Sequence, residues 1–213
     1  MIITIGVEKG GTGKSTMATN LAVYLKLKGR DIAILDADKQ STSSFWMSVR
    51  NEIENVPSIP VFSQTVSVDK IARNLAEKYE DVIIDVGGTA DLALGDAMLV
   101  SDKLYMPLRP SQADLWTLDK MEKLIGVSKS FNKNLVAYAF FNQAPTHPFI
   151  QETKAAQEYL KDFININLSS VVVRERKPFR DALAEGLSVL EKSDKKSIHE
   201  ITSLCEEIFG GVL

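Results

Sequence analysis

Short, nearly continuous apolar runs alternate along the chain with stretches in which apolar residues recur every three or four positions. The runs Ile2 to Val7, Asp31 to Leu35, Asp81 to Asp85, Lys103 to Met106, Val136 to Phe141 and Val171 to Val173 have the pattern of strands covered on both faces. Between the first two, Met17, Ala18, Leu21, Ala22, Leu25 and Leu27 keep helical spacing from Lys14 to Lys28, and Gly29 follows as a C-cap. A strand, a helix and a strand in that order imply a right-handed crossover and parallel pairing. Further helices are predicted over Ser44 to Ile53, around Val68, Ile71, Ala72 and Leu75, along Leu115, Leu118, Met121, Leu124 and Ile125, over Ile150 to Leu160 with Lys154 on its exposed face, and along Ile198, Ile201, Leu204, Cys205 and Ile208. Phe45 and Trp46 are assigned to the core, with a subunit seam as the alternative. The expected fold is one α/β domain spanning residues 1–213, with a mostly parallel, twisted central sheet and helices on both faces.

The chemistry concentrates where the first strand meets the first helix, at Glu8-Lys9-Gly10-Gly11-Thr12-Gly13-Lys14-Ser15-Thr16. Glycines let backbone N–H groups converge on one concavity, and the helix N-terminus adds a partial positive charge, so the natural ligand is a polyphosphate. Lys14 is placed for the β- and γ-phosphates, the Ser15 hydroxyl for Mg²⁺ and Thr16 for the α-phosphate. The usual first glycine of such a loop is replaced by Glu8. Ligands of open α/β sheets lie beyond the carboxyl ends of strands. Asp36 and Asp38, Asp85 and Asn142 all follow strands and are delivered to that rim. Asp85 is a Mg²⁺ ligand by this placement, and an Asn142 amide offers a donor and an acceptor to an adenine edge. The plainer alternatives are an Asp capping the next helix and an Asn satisfying a turn before Pro145.

A second charged stretch, Arg174, Arg176, Lys177 and Arg180, puts four cations at the start of a helix that Ala182 and Leu183 continue. It suits phosphate contacts without base readout, as in nonspecific DNA binding, or else forms a solvated face. Net charge is −3 over 213 residues, so DNA binding has to come from such a local patch. Apolar residues at 45% and charged residues at 25% exclude a disordered or disulfide-built chain. The single cysteine, Cys205, reads as a core thiol in a reducing cytoplasm. His147 and His199 are far apart and without cysteine partners, which gives a zinc site no support. No apolar run approaches a membrane span, and the last helix, with Glu200, Glu206 and Glu207, lacks the basic face of a membrane-binding helix. A soluble cytoplasmic protein is expected.

The order Lys-Gly-Gly-x-Gly-Lys-Ser at Lys9 to Ser15 resembles the deviant Walker A motif of the ParA/MinD ATPase superfamily. That resemblance implies that Lys9 contacts the nucleotide of the facing subunit in an ATP-bound sandwich dimer. The segment Asp36-Ala37-Asp38-Lys39-Gln40 is similar to the family's switch I, with Lys39 in the proline position, and implies that Asp38 positions the hydrolytic water and senses Mg²⁺ while Asp36 supports it. Val86-Gly87-Gly88-Thr89 resembles switch II, with a Gly88 N–H for the γ-phosphate, although relatives often carry prolines there. Ser101 to Ser111 is a family-like phrase, and the helix after it implies contacts across a dimer by Gln112, Asp114 and Trp116. Relatives place an Asn like Asn142 at the end of the corresponding strand. The pattern from Arg174 through Phe179 and Ala182 to Gly186 resembles the C-terminal DNA-facing segment of ParA-type proteins. The implied protein is a small ParA/ParF-type Mg-ATPase without an N-terminal helix-turn-helix arm. It is a homodimer when ATP-bound, associates with nonspecific nucleoid DNA, and is stimulated by a ParB/ParG-type centromere-binding partner, with no membrane role. A MinD-like or other cargo-positioning ATPase and a small-molecule kinase or ligase are the rival readings.

Overall fold

Among the described residues the six apolar runs, with the short edge strand Val61–Ser63, form one seven-stranded sheet in which every pairing is parallel, as the crossover argument requires. The computed structural model describes residues 1–88, 92–146 and 158–210. Its elements are β1 (Ile2–Ile5), α1 (Lys14–Leu27), β2 (Ile32–Ala37), α2 (Thr42–Arg50), β3 (Val61–Ser63), α3 (Val68–Ala76), β4 (Asp81–Val86), α4 (Leu92–Met98), β5 (Lys103–Leu108), α5 (Gln112–Leu115), α6 (Thr117–Phe131), β6 (Val136–Ala144), β7 (Ile166–Arg174), α7 (Lys177–Ala184), a 3₁₀ turn (Val189–Glu191) and α8 (Lys195–Phe209). The strand order β3-β2-β4-β1-β5-β6-β7 puts β1 near the middle. The chain winds outward from it first toward β2 and later toward β5, so the loop after β1 lies where the winding reverses, the place at which such sheets bind ligands. The predicted helix from Ile150 to Leu160, with Lys154, lies mostly outside the described residues, as do His147 and Thr89.

Each strand divides its side chains between two cores. Ile3, Ile5, Ile32, Ile34 and Ile83 pack with α1, α2, α7 and α8, while Ile2, Leu35, Val82, Ile84 and Val86 pack with α3, α4 and α6. Covering both faces is why the strands read as continuous apolar runs rather than as an alternation. Helix α1 ends as predicted. Gly29, at φ +80, lets its own N–H reach Lys26 O and that of Arg30 reach Leu25 O, the paired closure that needs a left-handed residue.

Three boundaries differ from expectation, with consequences for the site. Strand β2 runs on to Ala37, so Asp36 is a fully buried strand residue rather than part of a surface turn. Helix α2 starts at Thr42, and neighbours on a helix point about 100° apart. Trp46 is therefore buried while Phe45 is 68% exposed, and the pair does not act as one core unit. The same helix ends on a buried arginine. The Arg50 guanidinium lies over the Trp46 ring at 5.1 Å, forks onto Glu191 and donates to Pro57 O and Gly186 O. Breaking so buried a pair costs about 3–5 kcal/mol because it strands a charge.

At the far edge of the sheet, β7 leaves N–H groups without a neighbouring strand among the described residues. Two glutamates of α8 take them. Glu207 accepts from Ser170 N and Ser170 Oγ, and Glu200 accepts from Arg174 N.

Candidate functional site

The loop between β1 and α1 is held from outside by side chains of later strands. Gly11 and Gly13 are left-handed, at φ +73 and +88. Arg109 Nη2 donates to Gly11 O, and Asn142 Nδ2 donates to Thr12 O at 2.7 Å. Within a peptide plane the C=O and N–H point in opposite directions, so occupying these two carbonyls turns the N–H groups of Thr12 and Gly13 the other way. Lys14 is buried, and its Nζ donates to Lys9 O at 2.6 Å. A Cβ on Gly13 would collide with the Asn142 amide.

The loop borders a cleft of about 540 Å³ that brings together Gly10, Gly11, Gly13, Lys14, Ser15, Thr16, Asp38 and Gly88. Most of the predicted phosphate, Mg²⁺ and catalytic residues thus converge. Gly88 carries no side chain for a geometric reason: a Cβ there would stand 2.6 Å from Gly10 N. Gly87 likewise leaves room for Asp38, whose Oδ1 would be 2.9 Å from a Cβ at that position. The double glycine that replaces the prolines of relatives lets the loop after β4 lie directly on the phosphate loop and on Asp38.

Below the cleft, Asp85 is fully buried and accepts from Ser43 Oγ at 2.7 Å, while its Oδ1 has no hydrogen-bond partner. Burial pushes its carboxyl up to about 7. The hydroxyls of Ser43, which is hydrogen-bonded to it, and of Ser15 nearby oppose that rise, and Asp36 and Asp38 add to it. Burial lowers the Lys14 ammonium, against the attraction of Asp85 and Asp38. An orphaned carboxylate oxygen beside a serine hydroxyl, with a second carboxylate bordering the cleft, is a donor set suited to a hard cation. Among the described residues no group of three or more His, Cys, Asp or Glu side chains is placed to hold a metal. Mg²⁺ takes few protein ligands and arrives with phosphates and water. Asp36 has a different task. Its Oδ2 accepts from Ser44 N and Ser44 Oγ, and its Oδ1 accepts from Asp38 N at 3.2 Å, so it ties the start of α2 to the Asp38 turn.

Several expected roles change. The Asn142 amide N–H, expected to face an adenine, is committed to Thr12 O, and the residue is 2% exposed. Asp114, expected to reach across a dimer, is buried. It pairs with Lys9 of its own chain at 3.6 Å and accepts from Arg109 N, while Gln112 and Trp116 remain on the surface. Three of the four cations in the basic run are paired with carboxylates of the same chain. Arg176 forks onto Glu200, Lys177 pairs with Asp181 and Arg180 with Glu175, and Arg174 donates to Pro145 O. Arg174, Arg176 and Arg180 line a second cavity of about 550 Å³, which shares Gly13, Thr16, Thr42 and Leu183 with the phosphate cleft. Of the four, Lys177 and Arg180 have side chains 79% and 73% exposed. Sequence reasoning missed Ser43, Arg109 and Gln143. A serine just before a predicted helix carries no signal, and Arg109 after β5 and Gln143 near the end of β6 meet only through the sheet order.

A parallel sheet whose central strand runs into a glycine loop, with a buried lysine at the start of the next helix and an aspartate at the neighbouring strand end, defines a P-loop nucleotide-binding domain. The match to the family described as CobQ/CobB/MinD/ParA nucleotide binding domain extends over residues 3–189, and the chain belongs to that family. It is 28% identical over 204 residues to maintenance of carboxysome distribution protein A from Halothiobacillus neapolitanus, covering 94% of this chain and 92% of that one. Among solved structures, apo McdA from Cyanothece superimposes with a TM-score of 0.79 at 15% identity, over 98% of this chain and 99% of the other. A plasmid partition protein of Borrelia burgdorferi bound to AMPPNP does so with a TM-score of 0.74 at 21% identity, over 100% and 99%. Among the described residues no helix is long and apolar enough to cross a membrane.

Proposed function

We propose that this protein is a Mg-ATPase of the partition or cargo-positioning kind, residues 1–213 forming one ATPase domain, that pairs with a second copy across bound ATP and in that state holds nonspecific DNA. The observation that carries this reading is Lys9. The phosphate loop already has its own lysine in Lys14, yet a second lysine stands beside it with a side chain 37% exposed, held by Asp114. A cation surplus to the chemistry of its own cleft, and able to leave it, fits a contact to the phosphates of a facing subunit.

Phosphoryl transfer to water depends on positioning and charge neutralisation more than on a strong base. The N–H groups of the loop and Lys14 hold the β- and γ-phosphates, Thr16 donates to the α-phosphate, and Gly88 offers an N–H at the γ-phosphate side of the cleft. Asp38 borders the cleft where it orients the attacking water. Ser15 would hold Mg²⁺, with Asp38 and Asp85 through water, and the ion would neutralise charge between the β- and γ-phosphates. After hydrolysis the contacts to the γ-phosphate are gone and the pair separates. Likeness to a carboxysome distribution protein along nearly its full length favours a positioning role in which DNA is the track and a partner protein, of centromere-binding or cargo-adaptor type, stimulates turnover.

The test is binding to nonspecific duplex DNA with no nucleotide, ADP or ATP at fixed low salt, together with sedimentation, in wild type and Lys9→Ala. Dimers and DNA complexes that need ATP and vanish in Lys9→Ala, with ADP binding kept, support the reading. An ATP-saturated wild type that stays monomeric and ignores DNA overturns it, and ATP-dependent binding to lipid vesicles instead would move the track to a membrane.

A further inference from the structure

The cavity beside the phosphate cleft contains a pair of side chains whose capacity the phosphate chemistry does not exhaust. Arg109 follows β5 and lines this cavity but not the phosphate cleft. Its Nε donates to Gln143 Oε1 at 2.7 Å and its Nη2 to Gly11 O, while its own backbone N–H donates to the buried Asp114 carboxylate at 2.9 Å. A guanidinium pinned along one edge keeps Nη1 and both flat faces for something else, and a planar cation stacks well on an aromatic ring. Gln143 is equally committed. It adopts a left-handed backbone at φ +54, which a residue with a Cβ keeps only where its surroundings over-determine it. With Oε1 taken by Arg109, the amide orientation is set and its NH₂ becomes the free end. That NH₂ lies 3.4 Å from where a Cβ of Gly13 would stand, directly beside the loop that holds phosphate.

The two cavities share Gly13 and Thr16, so a nucleotide with its phosphates on the loop extends its nucleoside into the space that Arg109 and Gln143 border. We propose that Arg109 and Gln143 form the wall on which the nucleoside rests, Arg109 by its flat face and Gln143 by its NH₂, and that this pair sets nucleotide affinity from outside the phosphate loop; the proposal rests on the nucleotide reading above. Asn142, the neighbouring amide, is buried and committed to Thr12. It acts as a strut behind the loop.

Calorimetric titration of wild type, Arg109→Ala, Arg109→Lys and Gln143→Ala with ADP, AMPPNP and inorganic tripolyphosphate, each with Mg²⁺, tests this. Gln143→Ala weakens ADP and AMPPNP by the same factor, up to roughly tenfold for one hydrogen bond, and leaves tripolyphosphate unchanged; Arg109→Ala, which also frees Gly11 O, weakens ADP and AMPPNP by a larger factor than tripolyphosphate. Arg109→Lys keeps the charge without the flat face and does not restore the affinity. Tripolyphosphate affinity falling by as large a factor as that of AMPPNP in Arg109→Ala, or falling at all in Gln143→Ala, overturns the proposal, because the pair then acts only on the phosphate loop, through Gly11. Full rescue by Arg109→Lys, or a wild type that binds nucleotides no better than tripolyphosphate, overturns it as well. A wild type that binds none of the three refutes the nucleotide reading itself, and this proposal with it.

Discussion

Replacing Arg176 with alanine separates a structural arginine from one that touches DNA. Arg176 gives Glu200 two charge-assisted hydrogen bonds, at 3.1 Å from Nε and 2.7 Å from Nη2, and the side chains are only 18% and 11% exposed. Each such bond contributes about 1.5–3 kcal/mol when well buried. Partial exposure screens the pair, and Glu200 keeps Arg174 N as a partner, so the expected destabilisation is about 2 kcal/mol. For a chain of this size that lowers the melting temperature by roughly 4–8 °C. Lys177 and Arg180 sit in exposed pairs with Asp181 and Glu175, and such pairs contribute less than about 1 kcal/mol. Urea and thermal unfolding of Arg176→Ala and of the double variant Lys177→Ala/Arg180→Ala, beside DNA titrations across a salt series, give the comparison. Arg176→Ala melts early. The double variant melts like wild type but lowers the slope of log affinity against log salt by about two, one for each cation withdrawn from the DNA phosphates. An Arg176→Ala protein of wild-type stability that no longer binds DNA would refute the reasoning, since Arg176 would then be spending its charge on phosphate rather than on Glu200.

Three further outcomes follow from the site and the core. Gly88→Ala puts a Cβ 2.6 Å from Gly10 N, a backbone atom that cannot swing aside, and ATP hydrolysis falls at least about tenfold for a catalytic loop displaced by an ångström; turnover above half of wild type contradicts that close approach. Asp85 titrates near 7 when folded, against a reference value of 3.8, so the folded state holds this proton more tightly than the unfolded chain does. In protein free of Mg²⁺ and nucleotide, this group makes stability fall as pH rises from about 4 to 7. Urea unfolding at several pH values therefore shows Asp85→Asn gaining on wild type toward neutral pH, and parallel curves would exclude the effect. Burial raises the Cys205 thiol well above its ordinary value, so iodoacetamide labels it only after unfolding; rapid labelling of the native protein would contradict its place in the core.

The placement of the phosphate loop, Asp38 and Asp85 at strand ends was legible in the sequence because each is a short contiguous pattern whose position depends only on the strand before it. The sheet was legible for a related reason, since burial on both faces writes itself as unbroken apolar runs. What escaped depends on partners distant along the chain. Four cations in seven positions look like a patch until Glu200, 24 residues beyond Arg176, takes one of them. Asn142 looks like a base reader until strand order brings it to Thr12, 130 positions away. Asp114 looks exposed beside Gln112 and Trp116, but the turn into α5 points it inward, to Lys9 and Arg109 N. Phe45 and Trp46 were indistinguishable by composition, and only the start of α2 decides which of them faces the core.

Glu200 and Glu207 on the N–H groups of β7 have a consequence for how copies of this protein can meet. An open strand margin is a template on which another chain can add its own backbone, the route to disordered aggregation. Here an arriving strand must first displace two carboxylates from Ser170 and Arg174, and in doing so it releases Arg176 from Glu200. Loss of Glu200 by mutation therefore makes that margin adhesive and electropositive in a single step. The last helix, through Glu200 and Glu207, is what keeps the sheet from growing sideways.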